Sequence, residues 1–184
     1  MILPEFDFGS VSTDRIAIIG NSAEKHNIPK NIYVIRFNDW STRTHVDKTP
    51  HADLVFSNGD SHAHMYGKGV KWPSSIVFVR RAGGLVRTIP KYYPAFKSLH
   101  FMKKKDHDTA QAEIKSTWAT VGYIIAYNFA RYFSGDIYVS GFTWELGKDR
   151  MYNHHDWEAE RAWFKNNQTR FIFSHETKRA LCSL

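Results

Sequence analysis

The chain has 184 residues, 42% hydrophobic and 15% aromatic, a composition that supports a packed core and excludes a disordered chain. Its formal net charge is +7 and its pI about 9.5, which favours an anionic ligand, a nucleic acid or an acidic membrane surface without choosing among them. The one cysteine, Cys182, excludes an intramolecular disulfide and any cysteine-rich zinc site.

The length fits one domain spanning residues 1–184. The first eight residues include Glu5 and Asp7 and lack a basic start followed by an apolar run. No segment reaches the roughly 18 apolar residues of a membrane span. The expected setting is cytoplasmic, soluble and reducing, with the basic charge permitting peripheral contact with a membrane.

In chain order, residues 15–19 form a short β-branched run stopped by Gly20, Asn21 and Ser22, which predicts a buried strand and a tight turn. Residues 32–37 predict a second strand closed by Asn38 and Asp39. Residues 54–56 and 76–79 predict a third and a fourth. Each ends in small or polar residues, as parallel strands do where their carboxyl ends face a ligand crevice. Residues 91–102 are aromatic-rich and read as irregular, 103–105 as a solvated lysine loop, and 108–116 as a polar lead into a helix. Residues 120–133 give the strongest helix, with a mostly apolar face. Residues 136–140 then predict a strand, 156–164 a helix and 171–173 a late strand. Helix followed closely by strand indicates an α/β fold: a single Rossmann-like domain with a mostly parallel sheet.

Four polar clusters fall at the predicted strand ends and helix starts. Gly20, Asn21 and Ser22 permit a close backbone approach and offer hydrogen bonds to a phosphate or ribose; a plain turn explains them equally. Asn38, after Arg36 and Phe37, sits where a strand end can read a ribose or base. Residues 116–122 lead into the strongest helix, where hydroxyls and N–H groups suit an anion or a sugar hydroxyl. Simple capping by Ser116, Thr117 or Thr120 explains them too. In the fourth cluster, Tyr152, His154 and His155 precede a helix carrying Glu160. A histidine there exchanges protons near neutral pH, and an acid five residues on can orient it; surface histidines at a helix start are the plainer explanation.

Taken in order, these segments resemble the sialyltransferase superfamily, nearest in pattern to the eukaryotic-type family with its large, small, third and very small sialylmotifs. Residues 15–22 and 34–38 resemble the large motif: an apolar strand, Gly-Asn-Ser, then a strand ending in Arg-x-Asn. Thr120, Val121 and Gly122, their helix and residues 137–142 resemble the small motif. His155 and Glu160 fit the His-x4-Glu of the very small motif, and Tyr152 to His154 stand where the third would be. The resemblance covers roughly residues 15–163, with a nucleotide-binding core at about 15–164. It implies a GT-A-like variant fold without an Asp-x-Asp metal motif and a CMP-activated acidic sugar as donor. No cofactor or metal is implied, and a glycan or glycolipid is the acceptor. Carried over, Gly20, Asn21, Ser22 and Asn38 bind the phosphate or ribose, and Thr120 and Gly122 line the cytidine site. His154 or Tyr152 stabilises the departing phosphate, and His155 is the general base. The cysteine pair of the animal enzymes is missing, which fits a microbial or viral type. Ser-Thr-Gly is Thr-Val-Gly here, and the third and very small motifs abut, leaving both His154 and His155 as candidates for the base.

The chemistry is consistent with this. A CMP-sugar carries a phosphate and a carboxylate, matched by a basic protein. Transfer to an alcohol needs a base for its proton and charge stabilisation on the leaving phosphate. Two other readings compete. Asp60, His62 and His64, with His45 and His51, could build the metal site of a phosphoesterase. Trp72, Tyr92, Tyr93 and Phe96, interleaved with Lys71, Arg80, Arg81, Arg87, Lys91 and Lys97, could form a nucleic-acid surface. No recognised nucleic-acid motif accompanies them, and no nucleic-acid partner is expected.

Overall fold

The computed structural model describes residues 4–20, 28–38, 52–58, 75–79, 98–144 and 155–183. Seven strands form one sheet: β1 (Arg15–Ile19), β2 (Tyr33–Phe37), β3 (Leu54–Ser57), β4 (Ser75–Phe78), β5 (Ser98–Phe101), β6 (Asp136–Ser140) and β7 (Ile172–Phe173). Their spatial order is β5-β4-β3-β2-β1-β6-β7, and every neighbouring pair is parallel. Four helices lie among the described residues: α1 (Lys104–Glu113), α2 (Val121–Tyr132), α3 (Trp157–Asn166) and α4 (His175–Cys182). The fold is α/β and Rossmann-like.

β1 reads as an unbroken apolar run because both of its faces are covered; Ile16, Ala17, Ile18 and Ile19 are fully buried. Alternation divides the strand residues between two clusters. Ile16, Ile18, Ile35, Leu54, Phe56, Val77, Ile137 and Val139 meet Ile124, Ile125 and Phe129 of α2 and Trp163 and Phe164 of α3. α1 joins this cluster through Ala110 and α4 through Leu181. On the opposite face Ala17, Ile19, Ile32 and Val34 pack with Ile28 and Tyr138.

β5 and β6 stand five strand spacings apart, about 24 Å at ~4.8 Å per spacing. α1 and α2 carry the chain back across that distance. α2 is buried along residues 121–129, which is why its sequence is apolar on nearly every side. It ends before Gly135, where a Cβ would stand 2.1 Å from the Asp14 carbonyl oxygen, so the chain enters β6 hard against the residue preceding β1.

Three segments differ from the sequence reading. Residues 98–101, read as irregular, form β5, whose outer side is met by a backbone bridge from Glu5 to Phe101. SLHF has no β-branched residue and a histidine in its middle, so it carries little strand signal. Lys104 and Lys105, read as loop, open α1, a helix that buries only Asp106 and Ala110 and so lacks an apolar stripe. It is held by an ion pair between Lys104 and Asp108 and by Asn128 Nδ2 of α2, which donates to the Asp106 carbonyl at 3.3 Å. Residues 175–182, not assigned from sequence, form α4, capped by Ser174 accepting from Thr177 N.

Candidate functional site at the carboxyl end of the sheet

The strand order reverses beside β1, with β2 to β5 on one side and β6 and β7 on the other. In open parallel sheets a ligand crevice lies outside the carboxyl ends of the strands at such a reversal. Here those ends touch. Gly20 N donates to the Ser140 carbonyl at 2.7 Å, and a Cβ on Gly20 would stand 2.1 Å from the Gly141 carbonyl oxygen. The close approach of the two strand ends therefore demands glycine at position 20. Gly20, expected from sequence to meet a nucleotide, is packed against the end of β6; Asn21 and Ser22 fall outside the described residues.

Asn38 follows β2 with φ at 51°, a left-handed conformation that asparagine tolerates. Its Oδ1 accepts from Asn58 N at 3.2 Å, tying the end of β2 to the end of β3. Arg36, two residues earlier, is buried at 2% exposure.

The start of α2 is organised by a residue 40 positions away. Thr120 caps the helix, accepting from Tyr123 N at 3.1 Å. Glu160 of α3, 2% exposed, accepts from Thr120 N at 2.6 Å and from Thr120 Oγ1 at 2.7 Å. Burial pushes the Glu160 carboxyl up to about 7, against the two Thr120 hydrogen bonds, which favour the charged form. The position an anion would take at this helix N-terminus is thus held by the protein's own carboxylate. Gly122, the second residue of α2, is buried against aromatic rings: a Cβ would stand 2.8 Å from Phe37 Cζ and 2.9 Å from Phe142 Cε1. Thr120 therefore ties the start of α2 to α3, and Gly122 seats it against Phe37 and Phe142 at the strand ends.

His155 comes to the same place. Its Nδ1 lies 2.5 Å from the Trp118 carbonyl oxygen. A carbonyl only accepts, so Nδ1 carries the proton and Nε2 is the basic nitrogen of the neutral ring. The ring packs edge-on to Trp157 at 5.4 Å. Glu160 does not orient His155 as the spacing suggested: both of its oxygens bond Thr120, while His155 holds the Trp118 carbonyl. Tyr152 and His154 lie outside the described residues. So do His45, His51, Asp60, His62 and His64, and Lys71, Trp72, Arg80, Arg81, Arg87, Lys91, Tyr92, Tyr93, Phe96 and Lys97.

Two features of this end were not legible in the sequence. Trp118, beside His155, is 50% exposed. Asn58 Oδ1 after β3, Trp144 Nε1 after β6 and Trp157 Nε1 at the start of α3 are among the buried polar atoms without a hydrogen-bond partner in the described residues. Each such atom costs about 1–3 kcal/mol. Trp144, with φ at 47°, is a bulky residue in the left-handed region, a strain of about 1–3 kcal/mol that folds tolerate mainly at functional sites.

Among the described residues no three His, Cys, Asp or Glu side chains are grouped to hold a metal ion, and no helix is long and apolar enough to cross a membrane. No family model, curated protein or solved structure matches the chain.

Proposed function

We propose that the protein is a metal-independent glycosyltransferase that moves an acidic sugar, sialic acid or a Kdo-like sugar, from a CMP donor to a hydroxyl of a glycan or glycolipid acceptor. The observation that carries this reading is His155, fixed by the Trp118 carbonyl at the carboxyl end of a parallel sheet, with Nε2 as its basic nitrogen. In the reaction, Nε2 takes the acceptor proton as the acceptor oxygen bonds to the anomeric carbon. The bond from that carbon to the phosphate oxygen breaks, and CMP leaves with the electron pair. His154 or Tyr152 stabilises the departing phosphate.

Glu160 already fills the N-terminus of α2, so the donor phosphate is assigned to the end of β1, at Gly20, Asn21 and Ser22. Asn38 is assigned to the ribose. The net charge of +7 suits a donor carrying both a phosphate and a carboxylate. His155→Ala tests the assignment. Turnover is expected to fall about 10²–10⁴-fold while CMP affinity stays within about threefold of the parent. Turnover unchanged in this variant removes His155 as the base.

A further inference from the structure

We infer that Trp118 is the acceptor platform: its indole face stacks on a pyranose ring of the glycan and sets the acceptor hydroxyl beside His155. The inference rests on the transferase reading above and goes beyond it by assigning the acceptor side of the site.

The segment between α1 and α2 is held unusually firmly for a connection of this length. Gln111 Nε2 donates to the Thr117 carbonyl at 2.6 Å, and Trp118 N donates to Ser116 Oγ at 3.2 Å. His155 Nδ1 donates to the Trp118 carbonyl at 2.5 Å. Thr120 N and Oγ1 donate to the two Glu160 oxygens at 2.6 and 2.7 Å. Ala119, in the middle, is 2% exposed. The backbone at 118 is thus fixed on both sides, yet its side chain, the largest in the segment, is half exposed. Tryptophan offers a broad rigid face with only two side-chain torsions to order on binding, and a fixed backbone removes the loop-ordering cost as well.

Position separates Trp118 from the other exposed large apolar side chains among the described residues. Tyr132 is 46% exposed at the last turn of α2, beside Arg131. Ile172 is 44% exposed on the edge strand β7. Only Trp118 among the three is bonded to the proposed base. A pyranose chair presents a face of C–H groups to an aromatic ring and keeps its hydroxyls at the rim. An indole whose backbone is hydrogen-bonded to His155 therefore suits a sugar whose hydroxyl gives up its proton there. The donor's base is the alternative stacking partner, but the group next to the general base belongs to the acceptor.

The test uses Trp118→Ala, which keeps the carbonyl that holds His155, and Trp118→Phe. Labelled protein is applied, with CMP present, to a printed array of neutral and acidic glycans. CMP affinity is measured separately for all three proteins, and the indole N–H resonance of Trp118 is assigned by its loss in Trp118→Phe. The expected result is glycan capture by the parent, at least tenfold weaker in Trp118→Ala and within about threefold in Trp118→Phe. CMP affinity should be equal in all three, and the Trp118 resonance should shift with glycan. Three results overturn the platform: capture unaffected by Trp118→Ala, no capture by the parent, or a Trp118 shift with CMP alone. CMP binding without Trp118-dependent capture refutes the platform and leaves the donor assignment standing. Trp118-dependent capture without CMP binding supports the platform and refutes the donor assignment.

Discussion

Glu160→Gln probes the junction on which the site depends. The folded protein holds the Glu160 carboxyl at about 7 against an ordinary value of 4.5. A carboxyl raised in the folded state stabilises the fold fully below its unfolded value, and that contribution is lost as pH rises through the folded value. A shift from 4.5 to about 7 makes the contribution about 2–3 kcal/mol larger at pH 5 than at pH 8. Protonation is compatible with the geometry: the acid can donate to Thr120 Oγ1 while its other oxygen still accepts from Thr120 N. Glutamine keeps the same arrangement, its oxygen accepting from Thr120 N and its amide donating to Oγ1, but it does not titrate. Urea unfolding of parent and variant, followed by tryptophan fluorescence at pH 5, 6, 7 and 8, separates this group from every other titration in the chain. The stability difference between the two proteins is expected to change by about 2–3 kcal/mol across that range, an effect of roughly 4–12 °C in melting temperature for a chain of this size. A difference that stays constant within 0.5 kcal/mol, taken as about the noise of such comparisons, would show that Glu160 is not a buried titrating carboxyl and would undo the assignment of the α2 N-terminus.

Gly20→Ala places a Cβ 2.1 Å from the Gly141 carbonyl oxygen and is expected to destabilise the fold by about 3 kcal/mol or more, read as a fall in the urea midpoint. A parent-like midpoint would mean that the ends of β1 and β6 do not meet as described. Asn38→Ala removes the acceptor for Asn58 N and introduces a residue that dislikes a φ of 51°. It is expected to cost about 1–2 kcal/mol of stability and at least tenfold in CMP affinity, and parent-like CMP binding would take the ribose contact away from Asn38.

Legibility from sequence followed the apolar signal. β1 and β6, at residues 15–19 and 136–140, match the runs read from sequence: β1 is buried, and so apolar, along residues 16–19, and β6 carries the β-branched Ile137 and Val139 on its core face. α2 was read to within a residue or two at each end for the same reason. β5, α1 and α4 were not, because their stability comes from tertiary partners. β5 pairs with β4 and meets Glu5, while α1 rests on α2 through Ala110 and through the Asp106 carbonyl. Within the site, the helix start at Thr120 and the histidine at 155 were visible as local patterns. Their connection was not. Glu160 was read as the partner of His155 because five residues separate them, whereas folding gives both of its oxygens to Thr120, 40 positions away. The exposure of Trp118 likewise depends on how α1 and α2 meet, which no local pattern encodes.

The central claim is that the crevice at the ends of β1, β2 and β6 takes a CMP-activated sugar without a metal. Isothermal titration of the purified protein with CMP in EDTA, with UMP and GMP as controls, tests it most directly. The account predicts saturable binding of CMP that neither control reproduces and that added divalent cation leaves unchanged. Absence of CMP binding well into the millimolar range, or equal binding of all three nucleotides, would contradict it.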